Sequence, residues 1–386
     1  MAIAEIILIA AAFLLLYSYV FYPLLTMILA SREKRKSFVP ESYPYVSILM
    51  PVYNEEKVIR AKIDSLIASD YPADKTEILI GSDASDDNTD TIVCEYASTH
   101  ENIKLIRAEE RAGKASMLNT LASAAKGELL VVTDANVIPA KNSLIKIVRH
   151  FNNDKIALCD ATPVTKDTVS DGIATQEKLY SSFEMRLKNS EAKAWGTSIN
   201  PYGGFYVIRK ALLPVIPANM LADDLFVGLH LVSEGYKTMN EEDALVCEDI
   251  PDGLKEQYKR RVRIATGSFQ NLFHYGLFPR GFFSAVSFCF FSHKVLRWFT
   301  PLFLLTIFMT SIILSGHSIL YFALALIQVI FILLPVLDYM LYKRAITILP
   351  LRSVTQFAMM NIALTAGFFR CLRGVKEGTW EPTKRV

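Results

Sequence analysis

Asp83, Lys114, Asp134 and the pair Asp223-Asp224 each stand at the edge of a segment with clear periodicity. Carboxylates so placed can take a proton or ligate a hard cation, and a lysine among them can offset phosphate charge. The organising stretch is residues 129–137, LLVVTDANV, a Val-rich apolar run that ends in Thr133-Asp-Ala-Asn136. Such a run is the pattern of a strand buried on both faces. An Asp at its carboxyl end lies where open α/β sheets bind their ligands. Residues upstream then read as the walls of a nucleotide pocket beside Asp134. Those downstream read as bringing an acceptor and a membrane to it.

Each residue also has a plainer use. Asp83, Asp86 and Asp87 suit a turn whose side chains bond their own backbone, and Asp223 suits a helix N-cap. What favours chemistry is the fixed order of these sites on one sheet edge, with Lys114 among them. Other motifs are excluded. Gly113-Lys114 is no Walker loop, because Ala108 stands where the first Gly belongs and Ala115 replaces the Ser/Thr. No Gly-x-Gly-x-x-Gly follows the first strand, which excludes the usual dinucleotide fold. His230, His274 and His293 lack metal spacing and read as structural.

The elements that must position these residues alternate. Val46–Val52, 77–82, Ile103–Arg107 and Leu129–Thr133 read as strands, with helices at 57–69, after residue 89, and at 115–125. That alternation predicts a doubly wound, mostly parallel α/β sheet whose loops bring Asn54, Glu55, Asp83, Lys114 and Asp134 to one edge. The next part is less regular. It holds an amphipathic helix at 172–194, the turn Pro201-Tyr-Gly-Gly204 before a short strand, an apolar helix at 225–232, and a basic helix at 255–274 containing Gln257, Arg260, Arg261 and Arg263.

Composition places this domain at a membrane. Of 386 residues 52% are hydrophobic, with mean hydropathy +0.27, too apolar for a wholly soluble chain and too charged for a pure membrane bundle. A net charge of only +2 gives no field for nucleic acid. The five cysteines lack zinc or redox spacing and read as reduced, buried thiols. Residues 1–30 are long enough to cross a bilayer and are followed by the basic linker 31–44, which begins Ser31-Arg-Glu-Lys-Arg-Lys36. The long apolar run and the position of its basic flank favour a retained helix over a cleaved signal peptide. That flank puts the domain at 45–281 in the cytoplasm. Residues 282–298 read as an interfacial helix. Within 299–372, Thr300–Leu314 and 319–341 read as spanning helices, 353–369 is left open, and a basic tail follows at 373–386.

Five motifs in order now carry a resemblance: Pro51-Val-Tyr-Asn-Glu-Glu56, Ser82-Asp-Ala-Ser-Asp-Asp-Asn-Thr89, Arg111-Ala-Gly-Lys-Ala-Ser-Met-Leu-Asn119, Thr133-Asp-Ala-Asn136 and Ala222-Asp-Asp-Leu225. Residues 45–263 resemble family 2 glycosyltransferases, in the membrane-embedded branch of poly-N-acetylglucosamine, hyaluronan, chitin and cellulose synthases. The flanking helices and the Trp380-Glu-Pro-Thr-Lys-Arg385 tail agree with it. The resemblance implies a GT-A fold and an inverting transfer from a nucleotide sugar, usually a uridine diphosphate sugar, to a saccharide or lipid-linked acceptor. By position it implies that Tyr53, Glu55 and Asp83 hold the nucleoside and that Lys114 lies near base or phosphate. It further implies that Asp134 binds a divalent cation (Mg2+ or Mn2+) and that Asp224 is the base toward the acceptor hydroxyl.

Two departures matter. The metal motif of the family ends in Asp where this chain has Asn136. Its carbonyl can still ligate a hard cation, but one negative charge is lost, so weaker metal binding is expected. Processive relatives carry Gln-x-x-Arg-Trp, whereas Gln257-Tyr-Lys-Arg260 is followed by Arg261. The missing Trp removes a stacking floor for the acceptor. Single addition to a polyprenyl-phosphate-linked or lipid acceptor is therefore the rival enzyme reading. A scaffold or transporter with a degenerate transferase domain is the rival of another class. Sugar, linkage and oligomeric state are not written in the sequence.

Overall fold

The computed structural model describes residues 1–30, 42–165, 173–248, 254–344, 346–375 and 378. The basic segment at 31–36, the expected helix start at residue 172 and the 380–385 tail lie outside these residues.

Strands β1 (Val46–Val52), β2 (Thr76–Ser82), β3 (Ile103–Arg107), β4 (Leu129–Thr133), β5 (Val137–Pro139), β6 (Ile156–Thr165), β7 (Phe205–Arg209) and β8 (Lys237–Glu248) form one sheet. Their order across it is β3-β2-β1-β4-β7-β6-β8-β5. The half from β3 to β4 is parallel, as expected for a doubly wound sheet. The other half is mixed, with β7 antiparallel to both β4 and β6, β6 parallel to β8, and β5 antiparallel to β8.

Alternation explains the continuous apolar strands. Ile48, Met50, Val131 and Val207 pack on one side of the sheet with Ile59 and Ile63 of α2 (Ile59–Ile67). Leu49, Leu130, Val132, Tyr206 and Ile208 pack on the other with Leu118 and Leu121 of α4 (Lys114–Ala124). In chain order α3 (Thr89–Thr99) comes between these two helices, and its Val93 packs on the α2 side. Both faces are covered, so neither can be polar. The β1–β2 register runs from Val46–Thr76 to Val52–Ser82, so Tyr53 and Asp83 leave the sheet side by side.

Further helices are α5 (Ser143–Val148), α6 (Ile173–Trp195), α7 (Asp223–Ser233) and α8 (Leu254–Tyr275). Two described helices are long and apolar enough to cross a membrane: α1 (Ala2–Ala30) and, later in the chain, Ile319–Tyr342. The segment expected at the interface forms α9 (Ala285–Trp298), which meets α10 (Thr300–Leu314) at 57°, and only together are they long and apolar enough to cross a membrane. Thr300–Leu314, expected to span alone, has 15 residues, about 22 Å of helix, against about 30 Å of hydrocarbon. Ile319–Tyr342 is α11, and the segment left open forms α12 (Leu349–Leu372). That helix lies against α8: a Cβ at Gly367 would come 2.5 Å from the Ala265 Cβ, and Phe368 meets Phe269 edge-on at 5.1 Å.

A buried polar junction ties the membrane-side helices to the domain. The two ring nitrogens of His293 lie 2.8 Å from Glu191 Oε1 and 3.0 Å from Glu184 Oε2. Tyr22 donates to Glu191 Oε1 at 2.6 Å, and Lys294 and Arg297 pair with Glu184. His293 bridges two carboxylates of α6, a structural use.

Candidate active site

Two loops after β1 and β2 form the first wall. Asn54 sits in the left-handed region at φ 53, which Asn tolerates. Its side chain exchanges two hydrogen bonds with Asp86, donating to the carboxylate and accepting from the backbone N–H at 3.0 Å. Asp87 accepts from the N–H groups of Thr89 at 2.9 Å and Glu56 at 3.1 Å. These two aspartates are turn builders. Asp83 differs. It is fully buried and accepts the N–H groups of Ala112 at 2.7 Å and Gly113 at 3.1 Å. Arg111 Nε lies 3.8 Å from it, and the Arg111 guanidinium stacks 3.6 Å above the Tyr53 ring. Tyr53 and Asp83 therefore meet through Arg111, which the motif contains but sequence reading did not single out. Glu55 enters the same loop, its N–H donating to Thr89 Oγ1 at 2.9 Å.

The second group gathers around Asp134. Its N–H donates to the Gly204 carbonyl at 3.1 Å. Lys114 reaches over from the first turn of α4, its Nζ 2.7 Å from Asp134 Oδ1 and 3.8 Å from Asp223 Oδ2. Burial works against the Lys114 charge, yet the Asp134 and Asp223 carboxylates hold the ammonium above its ordinary value. Burial likewise opposes the Asp134 charge, but Lys114, then Arg263 and Lys62, keep this carboxyl below the usual aspartate value.

Asp223 and Asp224 open α7, whose N-cap is Ala222, so neither is the cap that the sequence pattern allowed. Burial, and then the neighbouring Asp223 charge, push the Asp224 carboxyl up to about 6. Its Oδ1 accepts the Leu225 N–H at 2.8 Å. A Cβ at Gly203 would lie 2.5 Å from its Oδ2. The turn Pro201-Tyr-Gly-Gly204, read from sequence only as turn chemistry, is thus part of the site. Gly203→Ala is expected to lower turnover roughly tenfold, since a misplacement of about 1 Å can cost about a hundredfold. Unchanged kinetics in that variant would show that the Asp224 carboxylate needs no such space.

The basic helix closes the third side. Arg260 pairs with Glu248 at 3.0 Å, and the other Glu248 oxygen accepts from Tyr202 Oη at 2.7 Å. Gln257 is buried on the same helix. Arg263, absent from the sequence-expected site, faces Asp223, Asp134 and Asp224 without an ion pair to any of them. A Cβ at Gly267 would fall 2.5 Å from the Ala222 nitrogen, so α8 rests on the residue just before the acidic pair.

A divalent cation fits these donors. Asp134, the half-buried Asn136 and Asp223 Oδ2, which is buried, makes no hydrogen bond and has Lys114 at 3.8 Å, are hard oxygens. Magnesium-type sites commonly use one or two carboxylates completed by substrate phosphates. Among the described residues no three His, Cys, Asp or Glu side chains form a self-sufficient metal cage, so donor oxygens would have to complete the shell.

Comparison with known proteins gives a consistent picture. The family model described as Glycosyl transferase family 2 matches residues 47–213. The Bacillus subtilis (strain 168) protein named "Probable glycosyltransferase YdaM" is 27% identical over 235 residues, 58% of this chain and 55% of that protein. The poly-beta-1,6-N-acetyl-D-glucosamine synthase of Staphylococcus epidermidis is 28% identical over 234 residues, 59% of this chain and 55% of that one. The chain thus spans about half the length of these curated relatives. Among solved structures, the mannosyltransferase PcManGT from Pyrobaculum calidifontis, in complex with GDP-Man and Mn2+, matches with TM-score 0.71 and 25% identity. That match covers 96% of this chain and 99% of the other. The fold is GT-A-like, and residues 47–213 are similar to glycosyl transferase family 2 domains.

Proposed function

We propose that this chain is an inverting glycosyltransferase that moves a sugar from a nucleotide diphosphate sugar, a uridine diphosphate sugar by the first reading, to a saccharide or lipid-linked acceptor at the membrane. The observation that carries it is Asp224, a carboxylate pushed up to about 6 beside the Lys114–Asp134 pair. A base with that value is mostly ionised at neutral pH yet still basic enough to take a proton in the transition state. In this reading Asp224 accepts the proton of the acceptor hydroxyl as its oxygen attacks the anomeric carbon and the bond to the diphosphate breaks. Lys114 and Arg263 offset the charge growing on the leaving group. Tyr53, Glu55, Asp83 and Arg111 would hold the nucleoside, and Gln257 and Arg260 would close over the diphosphate. Asp134 and Asn136 would hold Mg2+ or Mn2+, which supplies further counter-charge when bound. The domain at 45–281 would face the cytoplasm, with α1 and α11 crossing the bilayer.

Poly-beta-1,6-N-acetyl-D-glucosamine synthases among the relatives support an N-acetylglucosamine donor and a polymeric product. A second reading, single addition to a lipid-linked acceptor with a guanosine diphosphate sugar as donor, has its own support. The chain covers nearly the whole of a mannosyltransferase solved with GDP-Man, and Arg261 stands where processive relatives carry Trp. Product size and anomeric configuration, measured on membrane-reconstituted protein with labelled donor, test both. A ladder of β-linked products from an α-linked donor fits the first reading, and one added β-linked sugar the second. Retention of configuration contradicts both.

Arg260→Ala and Gln257→Ala are expected to lower activity and weaken uridine diphosphate binding about tenfold, the scale of one lost charge-assisted hydrogen bond. A basic helix that merely meets solvent or lipid predicts unchanged nucleotide affinity, and binding measured by calorimetry separates the two.

A further inference from the structure

Behind the acidic cluster lies a lysine that neither the motifs nor the mechanism uses. Lys62, on α2, is fully buried. Its Nζ donates to Thr133 Oγ1 at 2.7 Å and to the Val137 carbonyl, and it faces the Phe205 ring at 5.6 Å. It has no carboxylate partner in an ion pair among the described residues. Burial pulls its value down to about 7, with the Asp134 charge acting the other way. A buried ammonium without a paired counter-ion is costly, and an apolar side chain of similar volume would serve the core better. Packing therefore does not account for it.

Its contacts do. Thr133 and Val137 flank the three residues Asp134-Ala-Asn136, so one ammonium brackets that segment from behind. The network continues forward: Thr133 Oγ1 lies 3.0 Å from the Gly204 carbonyl, to which it donates. The Asp134 N–H donates to that same carbonyl at 3.1 Å. With the Lys62 donor on one side of the hydroxyl, its own proton is left for the Gly204 carbonyl at 3.0 Å or the Asp134 carbonyl at 3.4 Å. The turn that carries Asp134 and Asn136 is thereby tied to the turn that carries Gly203, against which Asp224 rests.

We propose that Lys62 is a positioning residue for the cation-binding segment, holding the 133–137 turn so that the Asp134 carboxylate and the Asn136 carbonyl present together to a divalent cation. This rests on the reading of Asp134 and Asn136 as cation ligands. Groups that orient metal ligands typically cost about ten- to a hundredfold in metal affinity when removed, although they touch no metal themselves.

The test is Mn2+ affinity, measured by calorimetry in the presence of uridine diphosphate, alongside the melting temperature. Wild type, Lys62→Met, Thr133→Val and Asp134→Ala are compared. Lys62→Met is expected to melt no lower than wild type while binding Mn2+ at least tenfold more weakly. Thr133→Val removes the acceptor and leaves the lysine, and is expected to weaken Mn2+ in the same direction even if Lys62→Met folds poorly. Wild-type Mn2+ affinity in both Lys62→Met and Thr133→Val overturns the proposal. So does a loss of melting temperature with no loss of metal affinity, which marks a core role. Asp134→Ala separates the underlying reading: if it still binds Mn2+ as wild type does, the ligand assignment itself is wrong.

Discussion

Asp224→Asn is expected to cut turnover by roughly a hundredfold or more, with donor binding almost unchanged, while Asp223→Asn is the milder change. The asymmetry follows from what each carboxylate touches. Asp224 is partly exposed to the cleft, with its Oδ2 against Gly203, and its carboxyl stands at about 6. Asp223 is turned inward, one oxygen 3.8 Å from Lys114.

The pH dependence has a definite sign. The folded-state value of Asp224 is raised from an ordinary 3.8, so the folded protein holds this proton more tightly than the unfolded chain. Stability from this group therefore grows as pH falls from above about 6 toward 4, and its charge is a burden at neutral pH. Asp224→Asn should accordingly melt higher than wild type at neutral pH, with the gain fading near pH 4. Wild-type turnover should fall as pH drops below about 6, because the base is then protonated. Asp223→Asn removes the second cause of the raised value, so its acid limb should move to lower pH. Turnover on both Asn variants decides the assignment: equal losses, or a larger loss at Asp223, would reverse it.

Asp134→Ala is expected to abolish donor turnover while the protein still folds. Its carboxylate sits just past the end of β4, partly exposed, with one oxygen on Lys114 at 2.7 Å. Removing it takes away a cation ligand and leaves Lys114 only the more distant Asp223. Nucleoside diphosphate release with Mn2+ or Mg2+ should drop to background, and the melting temperature should change little. Near-normal release in this variant would mean that Asp134 holds no essential cation.

Much of the site-bearing half was legible because burial on both faces leaves a one-dimensional trace. β1, β3 and β4 have the bounds that their apolar runs mark, and β2 starts one residue earlier, at Thr76. β5, β6 and β8 were not legible. β8 mixes buried Thr238, Asn240 and Glu241 with exposed charges, and β6 carries the buried Asp160 held by Lys188 at 2.6 Å. Polar residues satisfied by distant partners erase the alternation that marks a strand. Asp83, Asp86 and Asp87 show the same limit at the site. They are one residue type in one loop, and only the folded chain shows that Asp83 grips residues 112–113 while the other two build the turn. Lys62 lies on a helix where a lysine reads as solvent-facing, and its burial depends on the β4–β5 turn below it. The segment read as a span at 300–314 has only 15 residues, and hydropathy does not report that it joins α9 through a 57° bend before Thr300.

A site that transfers sugar from a nucleotide sugar must release a nucleoside diphosphate. The most direct measurement is nucleoside diphosphate release by the full chain in lipid nanodiscs, with Mn2+, over a panel containing UDP-N-acetylglucosamine, UDP-glucose and GDP-mannose, beside Asp224→Asn. Release is expected from one donor class with an acceptor extract present, reduced about a hundredfold or more in the variant. Binding of a nucleoside diphosphate with no release from any donor, or equal release by both proteins, would contradict the proposed transfer.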